Sequence, residues 1–87
     1  MTFQGALIQE QGVTFAIIAV QPSVLLNTAL GGRWQNLGAA VFGPIPIVLT
    51  ARDARGNSMW RGRDDIVRFL RSVPPQLIQW RAYTVNE

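Results

Sequence analysis

The chain contains no cysteine and no histidine. Those two residues supply most metal ligands, most nucleophile–base pairs and the one side chain that titrates near neutrality. Their absence closes the usual routes to catalysis and leaves neither a disulfide nor a histidine–cysteine metal site to staple the fold. Lysine is missing as well: all eight basic residues are arginine, which stays charged to very high pH and accounts for the high isoelectric point of about 11.2. Charge is sparse altogether. Only 15% of residues are charged, against roughly 25% in an average domain, so apolar surface is plentiful relative to its charged cover. No apolar run approaches the roughly 20 residues of a membrane span; the longest, residues 13–20, is interrupted by Thr14. The N-terminus has no basic segment followed by an apolar core, so no signal peptide is expected and the expected location is cytoplasmic.

What is present is enough for one small domain over residues 1–87. A chain of this length buries only about 60–65% of the surface its unfolded form exposes, so packing alone must hold it. Residues 2–9 mix apolar and polar positions at near strand spacing. Glu10, Gln11 and Gly12 form a turn, and residues 13–20 are β-branched, aromatic and nearly all apolar, which is how a central strand buried on both faces reads. Pro22 opens a helical region in which Leu30, Trp34, Leu37 and Val41 share one face. Gly31 and Gly32 interrupt that region at about 1 kcal/mol each relative to alanine, so a split or bent helix competes with a continuous one, and Asn27 or Thr28 can cap a second segment. Residues 46–52 form another apolar strand, residues 53–57 a turn, and residues 58–62 a short return strand. Asp64 and Asp65 start a helix as capping carboxylates, with Ile66, Phe69, Leu70 and Val73 as its buried stripe and Pro74-Pro75 as its stop. The tail, residues 76–85, reads either as an edge strand or as a segment wrapping the body.

The expected fold class is therefore α+β in the order β-β-α-β-β-α, with a small mixed or antiparallel four-stranded sheet, the tail available as a fifth strand, and two helices on one face. Pro46, the turn at Gly56-Asn57, Gly62 and the helix from Asp64 resemble, over residues 46–73, the C-terminal half of a thioredoxin-like domain. The resemblance implies a reused half-fold; in that family the proline is commonly cis, so by analogy the Ile45–Pro46 bond is open to either isomer. The family's pair of redox cysteines has no counterpart, so its activity does not carry over.

Six arginines (Arg52, Arg55, Arg61, Arg63, Arg68 and Arg71) stand within twenty residues among three aspartates, a local excess of +3. They suggest either a basic face for phosphates, with Trp60 to stack on a base, or a solvated surface with local ion pairs such as Asp64 with Arg68. Two carboxylates at the helix start oppose phosphate there. Glu10, Asp53, Asp64, Asp65 and Glu87 are the only acids, and none is placed by the sequence as a facing pair for hydrolysis. The serines, threonines and Tyr83 have no histidine or lysine as base. Gly31-Gly32-Arg33 lacks the phosphate-loop pattern. Trp34 reads as core, whereas Trp60 beside Arg61 and Trp80 beside Arg81 have the composition of an interface hot spot.

The expectation is a non-enzymatic interaction module without cofactor or metal, self-associating as a homodimer through Trp60, Arg61, Arg63, Trp80 and Arg81. The alternative is a weak nucleic-acid-binding domain whose basic face is Arg52, Arg55, Arg68 and Arg71.

Overall fold

The computed structural model describes residues 1–10 and 12–85. Two strands, β1 (Thr2–Glu10) and β2 (Val13–Ala19), lead into the helices α1 (Pro22–Leu25) and α2 (Thr28–Phe42). Then come β3 (Ile47–Arg52), β4 (Ser58–Arg61), α3 (Asp64–Leu70), a 3-10 turn at Pro75–Leu77, and β5 (Arg81–Thr84). The sheet order is β4-β3-β2-β1-β5. β2 and β3 are parallel and the other neighbours antiparallel. The α+β class and the mixed sheet are as expected. The strand count is five rather than four, because the tail pairs with residues 2–5 of β1.

The helices lie on opposite faces of the sheet, not together on one. β2 dictates this. Phe15, Ala16, Ile17 and Ile18 are all essentially inaccessible to water, and successive side chains of a strand point to opposite faces. Phe15 and Ile17 join Val48 under Ile66, Val67 and Leu70 of α3. Ala16 and Ile18 join Phe3, Ile47 and Leu49 beneath Trp34, Leu37 and Phe42 of α2. Each fully buried Phe or Ile contributes about 1.5–3 kcal/mol, so leaving either face bare would forfeit a large part of the core. The parallel β2–β3 pair also requires a long crossover, which α1 and α2 supply.

β1 and β2 close as a hairpin with Glu10 opposite Val13. Gly12 takes the left-handed conformation there, at φ +79; Gln11 of the expected turn lies outside the described residues. The helical region is split, but at Leu26–Asn27 rather than at the glycine pair. The Asn27 side chain accepts from the Leu30 amide at 3.0 Å, capping α2, which then runs unbroken through Gly31 and Gly32. The buried face of α2 is also rotated from the expected stripe. Leu30 and Val41 are exposed, Trp34 and Leu37 half-buried, and the two buried residues are Gly31 and Gly38. The helix approaches the sheet through its glycines: a Cβ on Gly38 would stand 2.7 Å from Ile47 and 2.9 Å from Ile18.

α3 buries Ile66, Val67 and Leu70, with Phe69 and Val73 partly covered. Its N-cap is Arg63, and neither Asp64 nor Asp65 makes a side-chain cap; they occupy the first turn, where their charge complements the helix dipole. No cis peptide bond occurs among the described residues, so the Ile45–Pro46 bond, whose isomer the sequence leaves open, is trans. The buried hydroxyl of Thr50 is satisfied by donating to the Met59 carbonyl at 3.0 Å.

The two helix glycines that differ in surroundings give a paired test. Gly38→Ala is expected to destabilise the fold by about 1–3 kcal/mol through overpacking. Gly32→Ala, whose Cβ would meet nothing within 4 Å, is expected to stabilise it by roughly 0.5–1 kcal/mol through helix propensity. Urea melts of the two variants check both signs.

Candidate interaction surfaces

The residues grouped by the sequence as one interaction surface are separated by the fold. Trp60 and Trp80 do come together. With Thr50, Arg52, Ser58 and Ile78 they line a cleft of about 250 Å³ at the carboxyl ends of β2 and β3. Strand register explains the grouping. Thr50 lies opposite Trp60 and Arg52 opposite Ser58, so all four sit on the α3 side of the sheet. Ile78, buried in the α3-side core, carries the chain past this point and leaves Trp80 at its rim, 36% exposed.

The flanking arginines go elsewhere. Arg61 is turned to the α2 side, where its guanidinium donates to the carbonyls of Asn27 and Thr28 at 3.3 Å each and lies against Gly31. It ties β4 to the α1–α2 junction, and a side chain at position 31 would collide with it. Arg63 forms a two-pronged ion pair with Asp65, at 2.7 and 2.8 Å. Arg81 lies opposite Gly5 in register and shares the α2-side face with Tyr83, away from the tryptophan cleft. Of the proposed basic face, Arg52 is at the cleft and Arg55 in the β3–β4 turn, while Arg68 and Arg71 are exposed on and just after α3. The expected Asp64–Arg68 ion pair is not formed; Arg63–Asp65 is the ion pair found among the described residues. The Asp53 carboxylate accepts from the Arg55 and Asn57 amides, both at 2.9 Å, and builds the turn.

A second surface was not visible in the residue types. β1 is nine residues long and β5 four, and β5 ends opposite Gly5. Met1 exchanges both backbone hydrogen bonds with Val85, so the odd-numbered residues of β1 point their N–H and C=O groups toward β5. Beyond Gly5, those of Leu7 and Gln9 meet no strand among the described residues. Beside this open edge lies a groove of about 440 Å³ between β1 and α3, lined by Leu7, Ile8, Phe69, Val73 and Leu77 among others. Leu7 and Leu77 are 57% and 68% exposed. The available signal was the mismatch in strand lengths, which only a known pairing register converts into an open edge.

Among the described residues, which do not include Glu87, the acids do not assemble into a reactive pair. Glu10 and Asp65 border one shallow depression between β1, β2 and α3. Its hydrogen bonds to the Arg63 guanidinium hold the Asp65 carboxyl down at about 2, so it is ionised throughout the neutral range. An acid partner would need the opposite shift. Among the described residues no three acids cluster as a metal site, and no helix is long and apolar enough to cross a membrane.

The Arg63–Asp65 pair yields a titration test. Because the folded value lies below the ordinary 3.8, the pair's stabilising contribution is present above pH 3.8 and is lost as pH falls through about 2. Both groups are well exposed, so the effect on global stability is small. Carboxyl NMR is expected to place the Asp65 midpoint near 2, and Arg63→Gln to return it toward 3.8. Comparison of the chain with known protein families, with curated proteins and with solved structures finds no match.

Proposed function

We propose that the chain is a non-enzymatic interaction module that self-associates by pairing the open edge of β1 with the same edge of a second copy. The observation behind this reading is the pair of outward-facing, strand-less backbone groups at Leu7 and Gln9, flanked by exposed leucines. An uncovered strand edge is a template for another strand. The β1 edge is also self-complementary. In an antiparallel pairing centred on Ile8, Leu7 faces the partner copy's Gln9 and exchanges both hydrogen bonds with it, and the two-fold axis repeats the exchange. Glu10 then faces the partner's Ala6, which keeps the two carboxylates about 14 Å apart along the strands. The apolar groove beside the edge receives side chains from the added strand. The opposite sheet edge, β4, is only four residues long and has α1 packed near it, so it offers less to a partner.

This reading moves self-association from the tryptophan–arginine patch to β1. Residues 46–73 then serve as scaffold, in keeping with a thioredoxin-like half-fold without its cysteines. Nucleic acid is left with a thinner set of cations, since Arg61 and Arg63 are engaged within the protomer.

Light scattering or native mass spectrometry at high micromolar concentration is expected to give a dimer for the native chain. Leu7→Lys, which charges the edge, and Gln9→Pro, which removes an outward N–H, are expected to give folded monomers. Trp80→Ala should leave the dimer intact. A native chain that stays monomeric, or a dimer lost with Trp80 and kept with Lys at position 7, would refute the β1 pairing.

A further inference from the structure

We infer that the tryptophan cleft at the carboxyl ends of β2 and β3 is a binding site for a small planar aromatic carboxylate. This site is independent of the β1 edge. Its walls are apolar and broad: Trp60, partly buried and packed against the α3-side core, and Trp80 at the rim, with Ile78 between the core and the opening. Two indoles lining one small cleft favour a flat ring system, which stacks on them with little loss of conformational freedom. The volume of about 250 Å³ is below the roughly 300 Å³ at which drug-sized pockets begin, and so suits one or two rings rather than a nucleotide.

The polar side of the cleft sets the ligand's charge. Among the described residues Arg52 is the one ionisable residue lining it, and no acid does. Its guanidinium makes no ion pair and no side-chain hydrogen bond among the described residues. The acid next to it in sequence, Asp53, is occupied by the amides of its own turn. An arginine fork left free at the mouth of an apolar cleft matches a carboxylate by two parallel hydrogen bonds. Ser58, across the ladder from Arg52, places a hydroxyl beside it. Thr50 is less available, because its hydroxyl already donates to Met59. A single cation suits a monoanion better than a phosphate, which recruits several. The position agrees with the general tendency of α/β sheets to bind ligands outside the carboxyl ends of their parallel strands.

The test uses 2-naphthoate as probe and naphthalene-2-methanol as its neutral counterpart, followed by the indole N–H signals of the three tryptophans in proton–nitrogen NMR. 2-Naphthoate is expected to move the Trp60 and Trp80 signals saturably and to leave Trp34, on the opposite face, unchanged. The alcohol should bind at least about tenfold more weakly, since it forgoes the charge-assisted hydrogen bonds, and Arg52→Gln should weaken 2-naphthoate by a similar factor. Arg52 is exposed, so that variant is expected to keep the native spectrum. Trp80→Ala, a change at the rim, should weaken both probes together. The inference is overturned if neither tryptophan signal shifts saturably up to millimolar probe, if acid and alcohol bind equally, or if the glutamine variant binds 2-naphthoate as well as the native chain.

Discussion

β2 has to be dry on both faces, and the architecture follows from meeting that requirement. Its core-facing residues alternate between two separate clusters, one under α3 and one under α2. The parallel β2–β3 pair sits between them and needs a helical crossover, which becomes the cover of one face. α3, arriving after the β3–β4 hairpin, covers the other. On the sheet's far side residues 75–77 form a 3-10 turn and Ile78 enters the α3-side core, so the chain joins β1 only at Arg81. The resulting strand, β5, is four residues long and pairs with less than half of β1.

The candidate surfaces both follow from that late entry of the chain into the sheet. One is the stretch of β1 that β5 does not reach, where backbone donors and acceptors have no strand to meet. The other is the cleft left where residues 78–80 cross from the α3-side core to β5, with tryptophans on its walls and Arg52 at its mouth. The remaining arginines illustrate how a run of like charges in sequence disperses in space. One ties β4 to the α1–α2 junction, one pairs with Asp65, and others sit on separate elements. Short-range spacing along a hairpin and a helix does not amount to a face.

Much of the element order was legible because it rests on local chemistry. Residues 13–20 announce a central strand by being apolar at every position but Thr14, Asn27 marks a helix start, and the turn at residues 53–57 is written in Asp53, Gly56 and Asn57. The covering of the sheet was also implied: a strand apolar at consecutive positions from Phe15 to Val20 needs cover on both faces, not two helices on one. The stripe of α2 was misplaced for a different reason. Periodicity arguments look for large apolar residues, whereas this helix sets Gly38 against the Ile47 and Ile18 side chains and Gly31 against the Arg61 guanidinium, and leaves Leu30 and Val41 outside. Of the sites, Trp60 and Trp80 were legible as a pair. Their separation from Arg61 and Arg81 was not, because it depends on which face of β4 and β5 each residue occupies. The open β1 edge depends on pairing register, and no single residue carries it.

Amide hydrogen exchange across a concentration series addresses the β1 edge most directly. The Leu7 and Gln9 amides are expected to exchange rapidly in dilute solution and to become protected as concentration rises, while the Ile8 amide, directed at β2, stays protected throughout. Rapid exchange at Leu7 and Gln9 at every concentration would contradict the account.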